Sequence, residues 1–257
     1  MCAPSLSRRT ALGAAVVLPL TAALSACSTG PSTPTRTAAT ATAAPHPSPS
    51  DLVPARTTRT TPDLDAPGSL AVVVDKRRPL SPRSWVPRDL VAPDVRHTNA
   101  PQLRRPAARA LERMFDAADG DGVVLVSLSA YRPYTVQRRI YERNLGSIGR
   151  AATEKLTLRP GYSEHQTGLA IDLGGASRTQ DLSVAFAGTD AAAWLRAHAW
   201  RHGFILRYER GRKPVTGIQY EPWHYRYLGK PRAADYHASG AHTLEQYFGL
   251  PAAPGYR

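Results

Sequence analysis

The feature that most limits how this chain can fold is a pair of short segments that carry metal-binding side chains. The first reads GYSEHQTGLAID and ends at Asp172, and the second reads YEPWHYRY and begins at Tyr220. Together they hold two histidines and two acids: His165, Asp172, Glu221 and His224. Two imidazoles and one carboxylate leave a fourth tetrahedral position open to water, as in catalytic zinc sites. A further carboxylate beside them could accept a proton from that water. We therefore predict a fold that brings both segments to one metal ion.

Spacing alone leaves other interpretations open. His165 and Asp172 could form a hydrogen-bonded pair without a metal. A carboxylate at the end of an apolar strand is costly to bury unless it is paired or bound to a metal, so Asp172 needs a partner in either case. Glu221 and His224 would face opposite sides of an ideal strand, so we expect Pro222 to bend the chain between them.

Cysteine usage restricts the ligands that a metal ion could have. Both cysteines, Cys2 and Cys27, lie near the N-terminus, so the rest of the chain must use nitrogen and oxygen ligands. His198 and His202 have the spacing of a helical zinc site, but no glutamate follows His198 as in the H-E-x-x-H motif. We expect that pair to be ordinary surface or partly buried residues.

Arg132 is a candidate for binding negative charge. It follows a strand predicted at residues 123–129 and is flanked by Tyr131 and Tyr134, so it should project from a rigid edge. A guanidinium there could bind a substrate carboxylate or stabilise an oxyanion. A surface salt bridge is the alternative, because the chain has 33 lysines and arginines.

The formal net charge of +13 favours polyanionic surroundings such as nucleic acid, anionic lipid or an acidic cell wall. The arginines are scattered, and no nucleic-acid-binding motif accompanies them. We therefore expect no nucleic-acid partner.

The N-terminal residues have the features of an export signal. Two adjacent arginines precede an apolar stretch, residues 11–24, which is short for a membrane span and ends in small residues. Leu24 to Cys27 resembles a bacterial lipobox, in which the cysteine becomes the lipid-modified first residue. We predict a signal peptide at residues 1–26 and a lipid anchor on Cys27, which would hold an exported protein on the membrane facing the cell wall. A plain cleaved signal and a twin-arginine signal are the alternatives.

Composition separates a tether from a folded domain. Residues 27–66 are rich in Thr, Ala and Pro and have few large apolar groups, so they cannot bury enough surface to offset the entropy of ordering. We predict a disordered tether there and a folded domain at residues 69–250.

Periodicity and turn signals predict an α+β domain, in which a small antiparallel sheet carries the metal site and helices pack on it. The predicted helices cover residues 102–118, a segment that Thr135 caps, and residues 189–203, 232–239 and 243–248. The predicted strands cover residues 70–74, 123–129, 204–208 and 218–228. A loop is predicted at residues 150–160.

Three longer segments carry a family resemblance. SAYRPYTVQ from Ser129, PGYSEHQTGLAIDL from Pro160 and GIQYEPWHYRYLG from Gly217 closely resemble the VanY-type D-alanyl-D-alanine carboxypeptidases, zinc peptidases of bacterial cell walls. The likeness extends from about Ser69 to Leu250. It implies the compact α+β fold of small zinc carboxypeptidases.

The resemblance also implies roles for individual residues. The implied zinc ligands are His165, Asp172 and His224. The implied catalytic base is Glu221, and Arg132 is assigned to the oxyanion or the substrate. The candidates for substrate binding are Ser163, Gln137 and Tyr131.

The implied activity is zinc-dependent removal of the C-terminal D-alanine from peptidoglycan stem peptides, by a protein that we expect to be a monomer. The alternatives are an L,D-carboxypeptidase or endopeptidase on the same peptides, and a wall-binding lipoprotein without turnover. Sequence leaves open the choice between D,D- and L,D-specificity and between wall remodelling and glycopeptide resistance.

Overall fold

The computed structural model describes residues 61–257. The signal peptide predicted at residues 1–26, the anchor predicted at Cys27 and most of the predicted tether lie outside the described residues. Within residues 61–257, no helix combines the length and the apolar character needed to cross a membrane.

The described domain contains a four-stranded sheet and a separate two-stranded sheet. The strands are β1 (Leu90–Val91), β2 (Leu103–Arg104), β3 (Leu125–Ser129), β4 (Ala170–Gly175), β5 (Phe204–Leu206) and β6 (His224–Tyr227). β1 pairs with β2, and the larger sheet has the order β3-β4-β6-β5 with every neighbouring pair antiparallel. The two inner strands are therefore β4 and β6.

Helices surround these strands. They are α1 (Arg105–Gly120), α2 (Tyr134–Leu156), α3 (Asp190–His198), α4 (Lys213–Thr216), α5 (Lys230–Ser239) and α6 (Leu244–Tyr247). Short 3₁₀ helices cover Glu164–Thr167, Arg178–Gln180, Val184–Gly188 and Ala199–His202. The combination of helices with small antiparallel sheets confirms the α+β prediction.

The main core lies between α1, α3 and the larger sheet. Leu111 and Met114 of α1 are fully buried, at the helical spacing that the sequence predicts. They join Leu125 and Ile171 of the strands and Leu195 of α3 in one cluster. Full burial of one such side chain contributes about 1.5–3 kcal/mol, so this stripe holds α1 against the sheet.

The strand predicted at residues 70–74 is not a strand, although Val72 and Val74 are buried. The carbonyl oxygens of Leu70 and Val72 accept hydrogen bonds from Nη2 of Arg226, at 3.1 Å and 2.7 Å. A buried guanidinium thus satisfies backbone groups that a neighbouring strand would otherwise satisfy.

Helix α2 differs from its prediction at both ends. It continues to Leu156, so much of the loop predicted at residues 150–160 is helical, and only Gly149, at φ 73°, interrupts it. Thr135 lies inside the helix and does not cap it. Pro133 occupies the capping position without a side-chain hydrogen bond, since its fixed φ already suits entry into a helix.

Helix α3 begins as predicted but ends at His198, and a 3₁₀ turn continues the predicted helical segment to Gly203. The Thr189 hydroxyl accepts a hydrogen bond from the backbone N–H of Ala192 at 3.2 Å, which caps the first turn. The following 3₁₀ turn ends at Gly203, whose φ of 92° leads the chain into β5.

We predict that Gly203→Ala will destabilise the domain more than Gly211→Ala. Both glycines have positive φ, so each alanine should cost about 1–2 kcal/mol from backbone strain. A Cβ on Gly203 would also lie 2.8 Å from the Tyr227 ring and 3.0 Å from the Gly229 backbone, whereas Gly211 faces open space. Such crowding typically costs a further 1–3 kcal/mol or so. Chemical unfolding of both variants measures the difference, and equal losses would contradict the crowding.

Candidate active site

Strand pairing brings the two predicted segments together. Asp172 of β4 and His224 of β6 are partners in the ladder although they stand 52 residues apart. His165 lies on a short 3₁₀ helix before β4, and Gly168 turns the chain at φ 67°, a conformation that favours glycine. These local features place His165 over the same end of the strand pair.

The three predicted ligands surround one point. His165 Nε2 lies 3.3 Å from Asp172 Oδ2, and His224 Nδ1 lies 3.1 Å from Asp172 Oδ1. One ligand atom from each residue lies within 4.8 Å of the others, and all three side chains are buried. Two ligands about 2.0–2.2 Å from a tetrahedral zinc ion lie about 3.3–3.6 Å apart, so the two His–Asp distances are close to those that such an ion requires.

The outer nitrogen of each imidazole also has a partner. His165 Nδ1 lies 2.7 Å from the carbonyl oxygen of Ala130, and His224 Nε2 lies 3.4 Å from Glu164 Oε2. Both partners are acceptors, so each outer nitrogen can donate its hydrogen there while the inner nitrogen faces the point where a metal would bind. Two imidazole nitrogens, each oriented by a hydrogen-bond partner, and one carboxylate oxygen are a ligand set that suits zinc.

Glu221 lies in a turn beside the ligands and does not belong to a strand. The strand predicted at residues 218–228 contracts to β6, because the turn at Pro222 returns the His224 N–H to the Glu221 carbonyl at 3.1 Å. The predicted bend is thereby confirmed. Glu221 Oε2 lies 3.8 Å from His224 Nδ1, and its side chain keeps 27% of its surface exposed. Burial raises the pKa of Glu221 to about 7.

Arg132 projects from the end of β3 toward the same place. Its backbone N–H donates to the His165 carbonyl at 3.2 Å, and its Nε is buried with no hydrogen-bond partner among the described residues. Burial lowers its pKa, while the charges of Asp172 and Glu221 oppose that shift. A buried donor without a partner is costly in a folded protein, so this guanidinium is suited to a ligand.

A cavity of about 210 Å³ opens beside these residues. Of the three predicted substrate-binding residues, Ser163 and Gln137 line it, whereas Tyr131 is not among its lining residues. Gln137 donates from Nε2 to Thr157 Oγ1 and to the Leu158 carbonyl, at 2.9 Å and 2.6 Å. Its Oε1 is buried without a partner in the described chain, so it could accept a hydrogen bond from a ligand.

The charges of the site are strongly coupled. Burial would raise the pKa of Asp172, but His165 and His224 outweigh it and hold that pKa below its usual value. Burial would lower the pKa of His224, but hydrogen bonds to Asp172 and Glu164 outweigh it and raise the pKa to about 9. Asp172 therefore remains ionised and holds both imidazoles in place.

Sequence reasoning missed Glu164, which is buried beneath His224. It lies between the guanidinium groups of Arg207 and Arg226, and Arg207 also pairs with Glu245. Burial would raise the pKa of Glu164, but the two arginines hold it well below the usual range. The only signal in the sequence was its place beside His165, since nothing in the spacing indicates the distant arginines.

Comparison with known protein families identifies relatives of this chain. A family model described as VanY, D-alanyl-D-alanine carboxypeptidase, matches residues 100–230. These residues contain the complete set of site residues discussed above except Glu245.

Individual relatives agree with the family match. The bifunctional D-Ala-D-Ala dipeptidase and carboxypeptidase VanXYC of Enterococcus gallinarum is 34% identical over 177 residues, which are 68% of this chain and 91% of that protein. The structure of the LdcB LD-carboxypeptidase has a TM-score of 0.68 at 37% identity and covers 72% of this chain and 88% of its own. The structure of a vancomycin resistance D,D-pentapeptidase, VanY, in complex with Zn(II) has a TM-score of 0.57 at 30% identity. The match covers 70% of this chain and 98% of that one.

We predict that His165→Ala will weaken the binding of Zn²⁺ or Co²⁺ by more than about 100-fold, because loss of an outer partner alone costs about 10- to 100-fold. His198→Ala is the matched control, since His198 stacks on Trp194 at 4.9 Å and does not line the cavity. Metal titration against a competing chelator measures both affinities. Equal affinities in the two variants would contradict the assigned site.

Proposed function

This chain belongs to the VanY family of D-alanyl-D-alanine carboxypeptidases, and from that premise we propose that it removes the C-terminal D-alanine from peptidoglycan stem peptides with the help of zinc. The observation that carries the proposal is the convergence of His165, Asp172 and His224 on one point, with Glu221 beside them. A catalytic zinc site needs three such ligands and an adjacent carboxylate that is free to move a proton.

The metal would be held by the three residues that the geometry brings together. When bound there, a zinc ion would supply the Lewis acidity that acidifies water and polarises a carbonyl group. The buried carboxylate of Asp172 and the two oriented imidazoles are the chain's contribution to that chemistry.

Glu221 moves the proton in the proposed reaction. Its carboxylate accepts a proton from the attacking water, whose oxygen joins the carbonyl carbon of the last peptide bond. The carbon–nitrogen bond then breaks, and Glu221 returns the proton to the leaving amine. One water is consumed, and the products are D-alanine and a stem peptide shortened by one residue.

Arg132 and the polar groups of the cavity bind the peptide. The Arg132 guanidinium stabilises negative charge on the carbonyl oxygen or binds the terminal carboxylate, and its buried Nε without a partner supports that role. Ser163 and Gln137 line the cavity at the place proposed for the terminal residue. Tyr131 would have to contact substrate outside the cavity.

A second candidate is L,D-carboxypeptidase activity on stem tetrapeptides. The likeness to the LdcB LD-carboxypeptidase structure supports it, because the resemblance to that structure is as extensive as the resemblance to VanY. Both activities would use the same metal ligands and the same base, so only the peptide tells them apart.

We also propose that the protein is exported and held on the membrane through lipid on Cys27, so that the tether presents the domain to the wall. The apolar stretch, the lipobox-like residues and the Thr/Ala/Pro-rich segment support this placement.

We predict that Glu221→Gln will lower kcat by about 10²–10⁴-fold, because the amide cannot accept the proton. Zinc content should remain that of the wild type, since Glu221 is not a ligand. Glu142→Gln is the control, because Glu142 lies on α2 with 62% of its side chain exposed. Hydrolysis assays and metal analysis on both proteins give the comparison, and near-normal turnover in Glu221→Gln would remove this residue from its role.

We predict that a stem pentapeptide ending in D-Ala-D-Ala will lose one D-alanine and that the tetrapeptide will accumulate. A chelator should abolish the release, and added Zn²⁺ should restore it. Mass analysis of the peptides identifies the outcome. Preferential cleavage of the tetrapeptide would establish the L,D-activity instead, and chelator-insensitive release would refute the metal mechanism. Zinc binding without any cleavage would indicate a wall-binding protein.

A further inference from the structure

Glu164 is a buried carboxylate next to the metal ligands that the proposed reaction does not use. We propose that Glu164 is a positioning residue that fixes which nitrogen of His224 faces the metal. The inference rests on the zinc site of the proposed function and adds to it a residue that takes no part in coordination or proton transfer.

The contacts of the His224 ring define this role. Its Nε2 lies 3.4 Å from Glu164 Oε2, and its Nδ1 lies 3.1 Å from Asp172 Oδ1. Both carboxylates can only accept hydrogen bonds, but Asp172 would be engaged as a metal ligand in the zinc-loaded protein. Glu164 is then the acceptor left for an imidazole hydrogen, so Nε2 would carry it. The Nδ1 lone pair then points to the side of Asp172 and His165, where the three ligand atoms meet.

The Glu164 carboxylate is itself held in one orientation. Its Oε1 accepts hydrogen bonds from Arg207 Nε at 2.9 Å and from Arg226 Nη1 at 3.1 Å. The second oxygen is thereby directed at His224. All of these side chains are buried, and a buried charge needs such partners to offset the loss of water.

The arginines are anchored in turn by groups outside the site. Arg207 binds both oxygens of Glu245 at 2.7 Å and 3.1 Å, and Arg226 donates to the backbone of residues 70–72. Two arginines and two glutamates thus form a neutral buried cluster. Only one of the two glutamates touches a metal ligand.

That asymmetry supplies a matched pair of variants. Glu164→Gln and Glu245→Gln each remove one negative charge from the same cluster and from the same partner, Arg207. A purely structural ion pair would make both variants less stable without changing zinc affinity. A positioning role makes only Glu164→Gln weaken zinc binding.

The experiment measures the Zn²⁺ affinity of the full-length protein by competition with a chromophoric chelator. We expect Glu164→Gln to lose about 10- to 100-fold in affinity, the usual cost of removing an outer partner, while Glu245→Gln keeps wild-type affinity. Glu164→Asp serves as a second variant, because it keeps the charge for the arginines but shortens the reach to His224. It should also bind zinc more weakly, and wild-type affinity in both Glu164 variants would overturn the proposal.

A measurement on the wild-type protein needs no substitution at Glu164. In NMR spectra of the zinc-loaded protein with nitrogen-labelled histidine, the imidazole proton of His224 should reside on Nε2. The His224 signal is the one that disappears in His224→Ala. A proton on Nδ1 would overturn the proposal even if every Glu164 variant failed to fold. Wild-type protein that cannot bind zinc would refute the proposed function as well, whereas normal zinc binding and turnover with an insensitive Glu164 would refute this inference alone.

Discussion

The structure depends on how two imidazoles offset the charge of one buried carboxylate, Asp172. It lies on an inner strand, 7% exposed, and two imidazoles approach it to within 3.3 Å. A carboxylate in that position would be costly without partners, so the pairing of β4 with β6 and the short 3₁₀ helix before β4 both stabilise it by supplying an imidazole. The same arrangement creates the metal site. Stability and chemistry therefore share one set of contacts.

A second set of charges supports the first from beneath. Glu164, Arg207, Arg226 and Glu245 connect the 3₁₀ helix, the end of β5, strand β6 and helix α6, and all four side chains are buried. Charges in such a cluster interact strongly because little water screens them. Through Arg226 the cluster also holds the turn at residues 70–72, so the N-terminal part of the domain is attached to the same point as the metal ligands.

Local patterns predicted well the elements whose signals are local. The apolar stripe of α1, the cap of α3 at Thr189 and the bend at Pro222 depend on residues only a few positions apart, and each lies where it was predicted. The strand expected at residues 70–74 failed for a different reason. Its apolar residues do indicate burial, but the partner of its backbone is an arginine side chain more than 150 residues away.

The sequence by itself determined the chemistry that the site can have: nitrogen and oxygen ligands, an acid to move protons, a nearby arginine and the family to which they belong. Tertiary structure alone decided that Glu164 supports His224, that Gln137 lines the cavity and that Tyr131 does not. The physical reason is that residue types and short spacings specify donors, acceptors and periodicity. Strand register and packing, which join residues 52 to 62 positions apart, specify which of them meet.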